Sequence, residues 1–356
     1  MRRERVCHLL ALATLLVVTT HRPVRAQSLA GRVALEAVAS ISTPARDVSD
    51  PRVVLDLVST VRIADGWDVV LRPWSMRRPG GDWMFEMYQL QVRYVSSTTV
   101  PFRFDAGILP SPVGLSTLEL QANRNPLINL PSYYFVPLPA VDGRFNDVRL
   151  MSGGYPLGAM LSLSGSRWDA RAGVTDSSPV QPRNLFSAAA SPAQPQLVLG
   201  GGVTPITGMR LGAGVTRGRY RAGTAQTGPN DAPSTATVIN LEAEYAVGYT
   251  RLSGEWVRDR FDTSSGTTFA RGFNVQAVHT LSPRIFAAAR GTRVTAPIAT
   301  VPMATYRSST EVEAVLGYRL TTEVTIRGGY QRQRGYQEPR WRGAAVMSLV
   351  WAERWW

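Results

Sequence analysis

The residues able to do covalent or metal chemistry are few. The 356-residue chain has one cysteine and three histidines, and Cys7, His8 and His21 all lie in its first segment. Once that segment is set aside, as argued below, His279 is the remaining imidazole. One imidazole cannot build a histidine/cysteine metal site, and any Ser-His-Asp arrangement would have to use it. Gly200, Gly201 and Gly202 lead into a strand pattern instead of a helix, so they do not read as a phosphate cradle. Glu311 and Glu313 could do general acid-base work, but two apart on a strand they share one face and read as solvated lining. Tyr133, Tyr134 and Phe135 could stack on sugar rings; packing of a loop against a wall is the better reading. No catalytic residue, metal or cofactor is expected.

Charge sets the next bound. The formal charge is +13, and every one of the 39 basic residues is arginine. The chain opens with Met-Arg-Arg-Glu-Arg, continues with an apolar run at 9–18, and reaches small residues Val24 and Ala26 around Arg25. This is the layout of a secretory signal peptide, and the run is too short to span a bilayer as a helix. The expected division is a signal peptide at 1–26 and one domain at 27–356. Removing the signal takes away five arginines and one glutamate and leaves +9. The remaining charges are scattered along strands, which argues against a nucleic-acid partner.

The elements that carry these charges show period-two alternation over most of the chain. Val53, Leu55, Leu57, Val61 and Ile63 share one parity, against Asp56, Thr60 and Arg62. Tyr88, Leu90, Val92 and Tyr94 alternate with Gln89, Gln91 and Arg93. Ile239, Leu241, Ala243 and Tyr245 alternate with Asn240, Glu242 and Glu244; Val312, Ala314, Leu316 and Tyr318 alternate with Glu311, Glu313 and Arg319. Successive strand side chains point to opposite faces, so each segment has an apolar and a polar face. The pattern predicts strands at 30–41, 52–63, 67–75, 83–96, 102–109, 155–165, 167–175, 196–204, 208–222, 235–246, 248–261, 268–280, 284–295, 307–319, 322–334 and 341–351. That is about 16, with a range of 14–18.

Connections alternate as well. Those after even-numbered strands are short, such as 64–66, 205–207 and 320–321, whereas 110–154, 176–195, 223–234 and 296–306 follow odd-numbered ones. Short periplasmic turns alternating with longer external loops characterise outer-membrane barrels. Trp356 supplies the terminal aromatic residue common in such chains. The expected fold class is therefore all-β: a transmembrane antiparallel β-barrel in the bacterial outer membrane. Backbone groups in lipid must be paired internally, and a closed barrel has no edge.

The polar faces then line an interior wide enough for an aqueous channel. The first half contributes Arg62, Arg93, Arg103, Asp105, Arg167 and Arg171, and the second half Glu242, Glu244, Glu311 and Glu313. The expectation is two walls of opposite charge. The longest connection, 110–154, adds Glu119, Arg124, Asp142, Arg144, Asp147 and Arg149 and is rich in aromatic residues, which argues against disorder. Here the chain resembles the 16-stranded porins, in which the third external loop folds inward and narrows the barrel. The stretch Phe-Arg-Phe-Asp-Ala-Gly-Ile-Leu-Pro-Ser-Pro-Val-Gly at 102–114 is similar to the Gly-x-x-x-Pro-x-x-x-Gly stretch that opens this loop in phosphate-selective-type porins. That family's lysine-rich phosphate ladder is missing, so no functional residue is carried over. Polar lining and width, together with this resemblance, lead to the expectation of a passive pore for small hydrophilic solutes, with outer-membrane lipid as surroundings and a homotrimer left open; the arginines beside and within the long loop add the expectation of a weak anion preference. The alternative is a barrel with a plugged lumen acting as an enzyme or a structural or adhesion protein.

Overall fold

A computed structural model describes residues 33–43, 51–77, 80–96, 101–115, 119–134, 137–138, 148–151, 154–181, 194–220, 234–263, 266–296 and 306–355. The expected signal peptide, Trp356, Asp142, Arg144 and Asp147 lie outside these residues. Sixteen strands form: β1 (Val33–Ser42), β2 (Arg52–Ala64), β3 (Trp67–Arg77), β4 (Trp83–Val95), β5 (Phe102–Ile108), β6 (Leu157–Ser164), β7 (Trp168–Thr175) and β8 (Gln196–Val203), then β9 (Met209–Arg219), β10 (Thr235–Val247), β11 (Thr250–Thr263), β12 (Gly266–Ser282), β13 (Ile285–Thr295), β14 (Ser308–Arg319), β15 (Val324–Arg334) and β16 (Arg342–Trp355). Each pairs antiparallel with its chain neighbours, and β1 pairs with β16 from Leu35–Trp355 to Ser42–Ser348, which closes the barrel. Closure satisfies the ladder bonds that an edge strand would expose.

Alternation decides which face meets lipid. On β10, Asn240 and Glu242 are buried, while Leu241 between them is about half exposed. The same exposure recurs at Leu199, Val275, Leu316 and Leu349 around the wall. Large apolar side chains exposed on strands all around the wall would be untenable in water and are the expected contact with hydrocarbon. Trp168 and Tyr318 lie on this outer face, as their parity predicts.

Three readings of the sequence need correction. Tyr88 does not share the lipid face with Leu90. The register slips between Arg72 and Pro73 opposite it, so Tyr88 is a bulged residue and stacks inside the barrel on Trp74 and Tyr155, at 4.6 and 4.2 Å between centroids. A bulge inserts one residue into the two-residue period and so flips the parity. Arg167 is not a wall residue either: it sits in a short turn at the periplasmic end and is exposed. The last strand also runs four residues further than alternation suggests, because Glu353 and Arg354 continue the pairing with Ala37 and Glu36.

Candidate pore and its constriction

The connection after β5 turns into the barrel. Gly107 and Gly114, the two glycines of the 102–114 stretch, have φ of +129° and +102°. A side chain at Gly114 would also collide with Tyr134 Oη and Met151 Cε, at 2.5 and 2.6 Å. Only glycine enters this conformation freely, so the pair lets the chain bend off the wall and lie close to its own return.

From there the loop traces the inner wall, fastened at each point by wall side chains. Leu115 N donates to Glu255 of β11, and Tyr133 Oη donates to the same carboxylate. Glu119 accepts from Arg251 and Gln276 at 2.7 and 2.9 Å. Asn123 and Arg124 bond Glu36 of β1 at 2.8 and 3.2 Å. Arg327 of β15 donates to the carbonyls of Ala122, Asn125 and Leu127. Ile128 N and Asn129 N donate to Glu313 at 3.0 and 3.1 Å, and Arg290 donates to Asn129 O at 3.0 Å. Backbone at membrane depth is tolerable when such partners satisfy it. Beneath these bonds Leu127, Tyr133, Tyr134, Leu138, Leu150 and Met151 are fully buried, so an apolar core sits inside the barrel.

The β4–β10 side stays open. A cavity of about 430 Å³ lies between the start of the loop and that wall. Asp105 accepts from Gln91 and Arg93 and pairs with Arg103, at 2.9, 2.8 and 2.7 Å. Arg210 bridges Asp169 and Glu242 at 3.0 and 3.1 Å, with Arg171 3.8 Å from Glu242. Four arginines and four carboxylates line this space, Glu244 being the fourth acid.

The charged residues read from the sequence thus fall into groups. Arg93, Arg103, Asp105, Arg171, Glu242 and Glu244 converge on the cavity. Arg62 lies on the inner face toward the periplasmic end, 3.3 Å from Asp68. Glu119 and Arg124 fasten the loop, and Arg149 pairs its strand-like segment with Pro137. Glu311 and Glu313 both hold Arg290, at 3.1 and 2.9 Å, and are buried. The two walls of opposite charge do not form among the described residues, because Glu242, Glu311 and Glu313 each sit against an arginine of their own half, Arg210 or Arg290.

Arg72, Arg210, Arg251 and Arg290 were not singled out from the sequence. Arg210 and Arg290 sit on the inner parity of their strands, a usable signal. Arg72 adjoins the bulge; it bonds Asp56 at 2.6 Å and Tyr155 Oη at 3.0 Å. Burial pushes the Tyr155 phenol above its ordinary pKa, so it stays neutral beside this guanidinium.

Sixteen antiparallel strands, a closed wall and an inward-running connection after the fifth strand decide the comparison. The fold is that of the 16-stranded porins. The chain overlays on the anion-selective porin from Comamonas acidovorans with a TM-score of 0.55 at 10% identity, covering 91% of this chain and 99% of that one. It overlays on Salmonella typhi OmpF, solved with daunomycin, at 0.56 and 10%, covering 91% and 97%. For the trimer form of Vibrio cholerae OmpT the values are 0.54 and 12%, with 91% and 98% covered. No family model and no curated protein sequence matches the chain. At these identities the porin-like barrel is shared as architecture, while the lumen side chains are this chain's own.

Proposed function

We propose that the barrel is a passive diffusion pore for small hydrophilic solutes in the outer membrane, with a weak preference for anions. The observation that carries this is the charged cavity left open beside the inward loop, ringed by ion-paired Arg93, Arg103, Arg171 and Arg210. A polar, hydrated constriction of this kind passes solutes by replacing part of their hydration and needs no covalent step.

The anion preference rests on exposure, since the charge count is balanced. The Arg103 and Arg62 side chains are 50% and 59% exposed, whereas their partners Asp105 and Asp68 are 6% and 14%. Glu242 is 5% exposed between Arg171 and Arg210. Water in the lumen therefore meets more guanidinium than carboxylate at these pairs, the Arg210–Asp169 pair, 30% and 36% exposed, being the exception. The fields of paired charges largely cancel, and salt screens them over ~8–10 Å, so the ratio should be a few-fold. A homotrimer is proposed as the assembly, supported by the trimer form of a barrel with the same architecture.

A second reading, a barrel plugged by its own loop, is favoured by the apolar core at Tyr133, Tyr134 and Leu138. Single-channel recording of the purified protein separates the two. Stepwise conductance with a reversal potential favouring anions is expected; a bilayer that stays silent with correctly folded protein would reject the pore.

A further inference from the structure

The geometry points to a phosphate-binding belt on the lipid-facing surface of β9–β15, built to hold the anionic glycolipid of the outer leaflet. Eight arginines take the outward parity in the external halves of these strands: Arg217 and Arg219 on β9, Arg258 and Arg260 on β11, Arg271 on β12, Arg293 on β13, and Arg332 and Arg334 on β15. Among the described residues the outward face of β1–β8 carries one, Arg77. The belt is thus confined to one side of the barrel.

The register gathers these residues. Arg258 is directly opposite Arg271. Arg293 lies one rung lower, opposite Phe273, and so diagonal to Arg271; Arg334 continues that rung through Thr310. Arg217 reaches Arg260 through Thr237. Like charges directly opposite on one face destabilise a sheet unless something neutralises them. Within the belt Arg260 pairs with Asp262 at 3.0 Å. Among the described residues no carboxylate pairs with Arg258, Arg271 or Arg293. An external anion is the missing partner.

Depth selects which anion. Eight residues separate Arg258 from Thr250 at the periplasmic end of β11. At ~3.3 Å per residue and a ~40° tilt this is about 20 Å along the membrane normal, so the Cα lies about 5 Å inside the outer edge of a ~25 Å apolar band and the long arginine side chain can reach that edge. The rung below Arg258 and Arg271 is Trp256 and Phe273, with Leu241, Val275 and Leu252 exposed on the same face. The Arg258 guanidinium stacks on Phe269, one rung nearer the outside, at 4.9 Å, so its charge points toward the headgroups. The ligand that fits has acyl chains below and phosphates above. Arginine forks bind phosphate oxygens bidentately, and adjacent strands ~4.8 Å apart let one phosphate engage Arg258 and Arg271 together. A membrane glycolipid meets this arrangement; free phosphate would not use the apolar rungs.

This proposal does not depend on what crosses the lumen. It is tested on the full-length protein in detergent by native mass spectrometry and titration with four additions: a bisphosphorylated, acylated diglucosamine lipid, the same lipid without phosphates, phosphatidylcholine, and inorganic phosphate. The expected result is retention of the bisphosphorylated lipid, with binding at least ~10-fold weaker for the dephosphorylated lipid and for an Arg258→Gln/Arg271→Gln/Arg293→Gln variant, a loss that two or three charged hydrogen bonds account for. Arg77→Gln should bind as the parent does. Heat-shifted gel migration and a β-dominated circular dichroism spectrum like the parent's establish that the triple variant is folded. If it does not fold, Arg271→Gln alone should fold and lose several-fold. Equal binding of both glycolipids, an equal loss in Arg77→Gln, full retention in the folded variant, or displacement of the lipid by equimolar inorganic phosphate each overturns the proposal.

Discussion

Arg290 and Glu313 face each other across β13 and β14 with guanidinium and carboxylate 2.9 Å apart, and both hold Asn129 of the loop. Glu313 accepts from Ile128 N and Asn129 N, while Arg290 donates to Asn129 O. The pair is closed off from water by the segment it fastens, so it acts as a clasp on the inward loop and contributes little to the field of the open cavity.

Glu313→Gln should therefore loosen the loop before it loosens the barrel. Removing one partner of a buried pair leaves an uncompensated charge and costs about 3–5 kcal/mol; Glu311 at 3.1 Å from Arg290 recovers part of that. The expected outcome is a larger, noisier single-channel current and faster proteolysis at 118–134, with heat-shifted gel migration retained. A current identical to the parent's would show that the clasp does not position the loop.

Deleting residues 118–145 removes the anchors to Arg251, Glu36, Arg327 and Glu313 together. Conductance should rise about two-fold or more, since the space now filled by Leu127 and Tyr133 becomes water. Unchanged conductance in a protein that still assembles would mean that the limiting section lies elsewhere.

Gly114→Ala tests the bend itself. At φ +102° a β-carbon is strained and would also meet Tyr134 and Met151. A loss of about 1–3 kcal/mol is expected, read as a lower midpoint in the thermal gel shift. Gly248→Ala is a useful comparison: its φ of +54° lies in an open turn with nothing within 4 Å, so the cost there should be smaller.

Reversing Arg93 or Arg103 to glutamate should move the zero-current potential under a salt gradient toward cation preference, Arg103 more strongly because its side chain is the more exposed. The change also deprives buried Asp105 of a counter-ion. The effect should shrink as ionic strength rises. Movement in the opposite direction, or none for either variant, would remove the basis for anion preference.

Much of this was legible from residue order. The barrel, the inward loop and the inner faces of β2, β10 and β14 follow from alternation, turn length and composition. Alternation is hardest to read over β11 to β13 and β16, where arginine and glycine break it; β11 to β13 carry Arg258, Arg271 and Arg293 on the outer face, at positions that apolar residues would otherwise take. Tyr88 was misplaced because a bulge adds one residue to a period of two.

Sequence by itself determined a count of about 16 strands, their hand-over at short turns, and, away from the bulge at Tyr88, which side chains share a face. These are local properties, since a strand's two faces are set by neighbours two residues apart. Tertiary structure alone decided the partners. Glu313 meets residues 184 and 185 positions away, and Arg327 meets Leu127 at a separation of 200. No pattern along the chain encodes such pairings, because they depend on where closure of β1 on β16 brings the far wall. That closure turned two expected walls of opposite charge into interleaved pairs, filled one side of the lumen with loop, and left the other side open.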